Sequence, residues 1–522
     1  MSPLAFLPDA LSPTALQVQP TPEVRERIEQ LGTGIQNLAA QQQELAKAAG
    51  LDTTEAATRL DIFHGYIGVL IVAFLVTLLV TPIMRRLAVA NGIIDKPDGD
   101  RKIHKMPIAY LGGVAVFLGL VGGILFSYLA VAFPDWRIIE WHSTAHLITD
   151  DPTNQFPWPV PISVILGLTV IMLVGLIDDV VGMEPRLKIG GQLFAAAALA
   201  YDSVGVQVAK GVLAPTIGDW LGNPDLVYFI PTGIMIPFFG ETIPSGDPGL
   251  AIDFIYCAGT AIIAIFVLGA CNASNLIDGL DGLLSGTTGI CAAALLIVAL
   301  TLAVRDDGPR DAQRIILCMA LLGACLGFLP HNFNPASIFL GDCGSLLMGF
   351  ATILIVLTLG DTGRTHLVLA GLVIYAIPIM DTCLAIVRRK MAGKRLSDPD
   401  ADHLHHMLKR ALGVKGAVFS LYGIGIAFGA LGIAMSLWRA RVTYALAGIL
   451  IAYIAVISIK LARRKQIEDA ITLRAGSTGK PAPKPATKPA AKPAAQPAAQ
   501  PANKPAPRPV AEEQPADRAK PA

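Results

Sequence analysis

From residue 66 onward the chain is a succession of long apolar runs separated by short polar interruptions. The runs fall at about 66–84, 111–133, 160–177, 189–201, 254–270, 283–304, 315–329, 345–359, 367–387, 417–437 and 444–461. A hydrocarbon core about 30 Å thick is crossed by roughly 20 apolar residues in helical form. The fourth run and several others fall short of that length, but the pattern as a whole predicts an all-α polytopic membrane protein with about eleven transmembrane helices.

Two tails flank this membrane domain, which the pattern bounds at 63–465. In residues 1–62, Val24, Ile28, Leu31, Ile35, Leu38 and Leu45 recur at near-heptad spacing and predict a short coiled coil, weakened by Gly32 and Gly34. Residues 466–522 end in a Pro, Ala and Lys repeat that has too little apolar surface to bury a core, so a disordered tail with polyproline II character is expected. Between the fourth and fifth runs, the stretch 205–250 contains strand-like segments around VYFIP and IMIPFF with Pro and Gly breaks, and predicts a small hairpin.

Composition agrees with the membrane reading. Hydrophobic residues make up 53% of the 522 and charged residues 16%, with a mean hydropathy of +0.56, too little polar surface to coat a soluble globule. Net charge is +1 and no basic stripe with interleaved aromatics occurs, so a nucleic-acid partner is not expected. All seven cysteines lie in or beside apolar segments without paired spacing, and read as small core hydrophobes. The first twenty residues lack the basic start, apolar run and small-residue site of a cleavable signal peptide, so the first span is expected to serve as the signal.

Charge changes the picture through its distribution. The loop after the first span carries Arg85, Arg86, Lys96, Arg101, Lys102 and Lys105, and the loop after the ninth carries Arg388, Arg389, Lys390, Lys394, Arg395, Lys409, Arg410 and Lys415. The last span ends in Arg463, Arg464 and Lys465. In an eleven-span count these lie on one side, which the positive-inside rule makes cytoplasmic, with the N-terminus outside.

Three polar patches follow the third, fifth and seventh spans and therefore share that side. They are LIDDVVGM with Asp178 and Asp179, CNASNLIDGLDGL with Asn272, Asn275, Asp278 and Asp281, and HNFNPASIFLGDCGS with Asn332 and Asp342. Carboxylates at a hydrocarbon boundary are costly and mark a cation, a pathway or a reaction. Asp178 and Asp179 repel one another unless a cation neutralises them; a bland alternative is a solvated helix end paired with Arg186 or Lys188. On a helix, Lys188 and Gln192 share a face.

In the second patch the oxygen-bearing residues recur every third position, and Gly279 and Gly282 admit close approach. An oxygen donor set with few carboxylates per ion suits Mg²⁺, which keeps waters and binds through one or two protein oxygens plus phosphate; a polar cap and turn is the alternative. The glycine-flanked Asp342 opens a helix whose N-terminus is a candidate phosphate site. HLHHML, with His403, His405 and His406, reads either as zinc ligands lacking a completing partner or as contacts to a diphosphate.

Together these residues resemble the polyprenyl-phosphate N-acetylhexosamine-1-phosphate transferase superfamily, the glycosyltransferase 4 family, over about residues 66–462. DRKIHKMPIAYLGG and the H-x-H-H form of the histidine loop resemble its GlcNAc-1-phosphate branch, whereas the phospho-MurNAc-pentapeptide branch has a Gly-Thr-Pro-Thr-Met-Gly-Gly run and three successive histidines. The resemblance implies transfer of a sugar 1-phosphate from a UDP-N-acetylhexosamine, GlcNAc by default, to a polyprenyl phosphate such as undecaprenyl phosphate. Such a step opens cell-envelope polysaccharide synthesis, of the lipopolysaccharide, O-antigen or teichoic acid kind, in the cell membrane.

It further implies Mg²⁺, with Mn²⁺ as the alternative ion, held by Asn275 and Asp342, and catalysis by Asp178 and Asp179 at the acceptor phosphate. Asp278, Asp281 and Asn332 match nucleotide-pocket positions, His403, His405 and His406 match the loop that contacts the diphosphate, and Arg101, Lys102 and Lys188 would offset anionic repulsion. Relatives often dimerise, which implies a homodimer. The pentapeptide transferase, a membrane transporter and a non-catalytic scaffold are the competing readings; acids at one face and no inverted repeat speak against the transporter. Asp381, in PIMD of the ninth span, has no role in this scheme.

Overall fold

The computed structural model describes residues 59–95, 108–132, 158–231, 241–242, 248–305, 310–393 and 403–477. The predicted coiled coil, Arg101, Lys102, the IMIPFF run and the Pro/Ala/Lys repeat lie outside the described residues. Two units are distinguished, Met1–Arg464 and Lys465–Ala522, and the second contributes only the end of the last helix described below.

Twelve helices of ten residues or more occur among the described residues: α1 (Arg59–Ala90), α2 (Gly112–Ala132), α3 (Ile162–Val181), α4 (Pro185–Tyr201), α5 (Phe254–Ile277), α6 (Leu283–Ala303), α7 (Asp311–Asn332), α8 (Gly341–Thr358), α9 (Thr365–Ile374), α10 (Ala376–Met391), α11 (Leu404–Leu437) and α12 (Ala440–Ser477). Nine are long and apolar enough to cross a membrane, or up to eleven spans if each of two bent helix pairs counts as one, among the described residues. The protein is thus an all-α polytopic membrane protein, as the apolar runs predicted.

α8 is the centre. Every residue from Cys343 to Thr358 is buried, so this helix is apolar on all sides and meets protein on all sides. α3, α5 and α2 pack around it, and α7 packs against α1, α2 and α6. The outer surface instead exposes large aliphatic side chains such as Leu79 and Ile83 on α1, Leu166 and Leu173 on α3, and Ile449 and Ile451 on α12. An apolar exterior this extensive suits hydrocarbon as its solvent.

Prolines inside this bundle free backbone carbonyls that lipid cannot satisfy, and other helices satisfy them. Pro82 in α1 cannot bond the Leu78 carbonyl, which faces His331 Nε2 at 3.3 Å. Pro378 cannot bond the Ile374 carbonyl, which accepts from Cys291 Sγ at 3.3 Å. At that second place the chain turns by 80°, with Tyr375 in a non-helical conformation between α9 and α10. The Tyr375 hydroxyl bonds Ser274 at 2.5 Å and donates to the Ala270 carbonyl at 3.1 Å, which anchors the bend to α5.

Two small sheets complete the fold. β1 (Ile94–Asp95) and β2 (Ile108–Ala109) pair antiparallel, Ile94 opposite Ala109. The chain then docks on the approach to α8, where Gly112 and Gly113 amides donate to Phe339 and Leu340 carbonyls at 3.1 and 2.9 Å. The predicted hairpin region is a three-stranded antiparallel sheet, β3 (Val227–Pro231), β4 (Glu241–Thr242) and β5 (Pro248–Asp253), in the order β3-β5-β4, preceded by short helical turns over Val206–Leu221.

Candidate active site

The polar patches fall at helix ends that meet at one end of the bundle. Asp178 and Asp179 are in the last turn of α3, Lys188 in the first turn of α4, Asn275 in the last turn of α5, Asn332 at the end of α7 and Asp342 in the first turn of α8. Alternation of direction along the chain brings these particular ends together.

Close backbone approach sets the spacing. A Cβ on Gly175 of α3 would strike the Cys343 Cα and come within 2.7 Å of the Asp342 carbonyl carbon. One on Gly113 of α2 would strike the Gly344 amide nitrogen and come within 2.6 Å of its Cα. Only glycine lets α2 and α3 close on the start of α8 in this way.

Asp179 occupies the place sequence reasoning offered to phosphate. Its Oδ1 accepts from the Asp342 amide at 2.8 Å and its Oδ2 from the Cys343 amide at 2.9 Å. The helix N-terminus does bind an anion, but the anion is this protein's own carboxylate. Asp179 therefore orients Asp342, and its neighbour Asp178 is differently placed. Asp178 accepts from the Met183 amide at 2.8 Å and pairs through Oδ2 with the Lys188 amine.

Lys188 Nζ also lies 2.7 Å from Asp342 Oδ2, so one ammonium joins α3 to α8. The bland reading of the acidic pair named this lysine or Arg186; Arg186 instead lies 3.7 Å from exposed Glu184. Asp342 Oδ1 accepts from Asn275 Nδ2 at 2.8 Å, and the same amide donates to Ser345 Oγ at 3.0 Å. Gln192, on the Lys188 face of α4, accepts from Asn272 Nδ2 at 3.0 Å, away from Asp342.

The turn between α5 and α6 carries Asp278 and Asp281. Burial, then the charges of Asp342, Asp179 and Asp281, push the Asp278 carboxyl up to about 7. Asp281 Oδ2 accepts from Asn334 Nδ2 at 2.9 Å and from the Ala336 amide at 3.1 Å. Asn332 is buried: its Oδ1 accepts from the Gly282 amide at 3.2 Å and the Ser285 hydroxyl at 2.9 Å, while Nδ2 donates to the Ile338 carbonyl at 3.1 Å. These bonds direct Asn332 inward, as a bracket for the Gly282 turn.

The histidines open α11 as a helix, where the sequence pattern suggested a loop. Ring centroids of His403, His405 and His406 lie 4.2–6.3 Å apart. A Cβ on Gly279 would strike His405 Nε2, so this ring faces the Asp278–Gly279 turn. Sequence reasoning did not place Tyr110, Ser345 or the Asp381 contact to the histidines in the site. Burial, then the charges of Asp95, Asp179 and Asp342, raise the Tyr110 hydroxyl pKa.

No group of three or more His, Cys, Asp or Glu side chains that could hold a metal occurs among the described residues. A protein-only cage for zinc is therefore not present among them. The donor chemistry does fit a hard divalent cation that shares its coordination with phosphate: Asp342 and Asn275 are in direct contact, and carboxylates outnumber the amine bonded to them.

Fold and site together define a membrane-embedded enzyme whose polar chemistry gathers at one end of its helix bundle. Residues 161–360 match the glycosyl transferase family 4. Over 350 residues the chain is 32% identical to the decaprenyl-phosphate N-acetylglucosaminephosphotransferase of Mycobacterium tuberculosis, covering 64% of this chain and 74% of that one. It is 28% identical over 362 residues to the probable undecaprenyl-phosphate N-acetylglucosaminyl 1-phosphate transferase of Bacillus subtilis, covering 69% and 81%. The phospho-N-acetylmuramoyl-pentapeptide-transferase of Desulforudis audaxviator is 28% identical over 376 residues, covering 70% and 96%. The chain belongs to glycosyl transferase family 4 and is a transferase.

Proposed function

We propose that this enzyme transfers N-acetylglucosamine 1-phosphate from its UDP-sugar to a polyprenyl phosphate, giving polyprenyl-diphosphate-N-acetylglucosamine and UMP. A non-bridging oxygen of the lipid phosphate attacks the phosphorus that bears the sugar, the bond from that phosphorus to the bridging oxygen breaks, and UMP leaves with the electron pair. The observation that carries the reading is the single ammonium of Lys188 joining Asp178 to Asp342 at the membrane edge. The activities for which the mycobacterial and Bacillus relatives are named, both on polyprenyl phosphates, support it.

Two anions must meet in this reaction, so the site has to supply positive charge. Lys188 is placed to receive the acceptor phosphate, and Asp178, bonded to the same amine, to hold or remove its proton. Asp179 serves by fixing the start of α8. Asp278 and Asp281, with Asn332 bracing their turn, form the uridine side, and His403, His405 and His406 address the diphosphate; Arg101 and Lys102 are assigned to the same anionic substrates. We assign Mg²⁺ as cofactor, with Asp342 and Asn275 as its protein ligands, and when bound it supplies Lewis-acid stabilisation of charge on the diphosphate.

The site end is assigned to the cytoplasm of the cell membrane, since Arg85 and Arg86 of α1 and Arg388, Arg389 and Lys390 of α10 flank it. Purified protein in nanodiscs, given a panel of UDP-sugars and one polyprenyl phosphate, tests the whole reading. UMP release should require both the lipid and Mg²⁺, favour UDP-GlcNAc, and vanish in Asp342→Ala. Release without lipid, or an Asp342→Ala variant of full activity, refutes it. The pentapeptide activity is refuted by the same panel if UDP-GlcNAc is the substrate turned over.

A further inference from the structure

Asp381 lies in none of the motif patches, yet among the described residues it is one of the most enclosed charges, with its side chain 1% exposed on α10. A carboxylate so deeply set needs compensating donors. They come from the start of α11. The Leu404 amide donates to Oδ1 at 2.7 Å, His403 Nδ1 lies 3.0 Å from Oδ2, and His405 Nδ1 lies 3.5 Å from that same Oδ2.

α11 has no cap from its own N-cap residue, His403. Asp381 caps it from another helix, and a negative charge is favourable there. The first turns of α11 are joined to the rest of the helix through Gly413, whose φ of 73° and ψ of 177° are not helical. The segment 404–412 is thus a short helix in its own right, held at one end by Asp381 and linked at the other by a glycine. It carries His405, His406 and Lys409.

We infer that Asp381 is a positioning residue for the transfer reaction: by bonding His403 Nδ1 and capping Leu404, it fixes the start of α11 so that the His405 Nε2 edge faces the Asp278–Gly279 turn. The His405 ring is thereby held with Nδ1 3.5 Å from Asp381 Oδ2 and Nε2 facing Gly279. A hydrogen at Nδ1 of His403 is what this carboxylate acceptor selects. The role in turnover rests on the reading of these histidines as contacts to the donor diphosphate; the anchoring does not.

Asp381→Asn keeps the size and one acceptor for the Leu404 amide but offers His403 Nδ1 an amide group in place of the carboxylate oxygen. The expected result is a rise of roughly tenfold or more in KM for the UDP-sugar, the usual scale for a lost hydrogen bond to a charged group, with KM for the polyprenyl phosphate and the thermal midpoint unchanged. His403→Gln perturbs the same contact from the other side and should give the same shift, with no further loss in the double variant. An unaltered UDP-sugar KM in Asp381→Asn, losses that multiply in the double variant, or both KM values rising together with a lowered midpoint would overturn the inference. Hydrogen exchange of residues 404–412 without substrate separates the two readings. Faster exchange in Asp381→Ala supports the anchor even if no UDP-sugar is turned over, and unchanged exchange sinks it.

Discussion

Replacing Gly175 by alanine is the sharpest test of how the site is assembled, because the substitution removes no polar side chain and acts only on the backbone at the start of α8, the Cys343 amide that donates to Asp179 included. The new methyl would strike the Cys343 Cα and lie within 2.7 Å of the Asp342 carbonyl carbon. These are backbone atoms in the first turn of α8 and cannot rotate away. Carbon atoms pack at about 3.5–4.0 Å, so α3 and α8 must part by roughly 1 Å. Overpacking of that kind costs about 1–3 kcal/mol, small enough for the protein to remain folded. A displacement of about 1 Å between reacting groups is worth on the order of a hundredfold in rate.

The separation falls where it matters, since Asp178 and Asp179 ride on α3 and Asp342 on α8. Gly175→Ala is therefore expected to lower kcat by about a hundredfold while the thermal midpoint drops only modestly. UMP release per folded protein in nanodiscs, with the midpoint read by intrinsic fluorescence, gives both numbers. Gly448→Ala on α12, where an added Cβ meets nothing within 4 Å, is the control and should be neutral. A Gly175→Ala enzyme with wild-type kcat would refute the argument that the close α3–α8 approach sets the geometry.

Lys188→Gln removes the ammonium between Asp178 and Asp342, and kcat should fall by on the order of a hundredfold, as when a single preorganised donor is lost; turnover within a few-fold of wild type would remove Lys188 from the chemistry. Asp278 predicts a pH effect in the absence of divalent ions. Burial raises its folded pKa to about 7 from the ordinary 3.8, so the folded state holds the extra proton between the two. Its contribution to stability is present at low pH and lost as pH rises through about 7, so the midpoint should decline over that window, and Asp278→Asn should abolish that part of the decline. Truncation after Ser477 should leave turnover in vitro near normal, and loss of activity in that truncated protein would favour the scaffold reading over the enzyme.

The apolar runs were legible because hydrocarbon admits few alternatives to a helix of sufficient length. Their ends were less so. The fifth apolar run ends near 270, yet α5 continues through Asn272, Ser274 and Asn275 to Ile277, since a helix keeps its backbone bonds when its side chains turn polar. The tenth run starts at 417, but α11 begins at Leu404, where Asp381 caps it from a distant part of the chain. The bend at Tyr375 had one sequence sign in Pro378, but its anchor on Ser274 and Ala270 had none.

The sequence by itself determined that the chain is a polytopic helical membrane protein, and it singled out the acidic patches and the histidine triplet as the candidate site. Periodicity, charge and motif order are local properties that survive without coordinates. Only the tertiary structure decided the division of labour within those patches. Two adjacent aspartates look equivalent in the chain, yet Asp179 spends both oxygens on backbone amides of α8 while Asp178 shares Lys188 with Asp342. Asn332 turns inward, and Asp381 becomes the anchor of the histidines. The physical reason is that a polar group's role depends on which donors and acceptors reach it, and those partners arrive from helices far away in sequence.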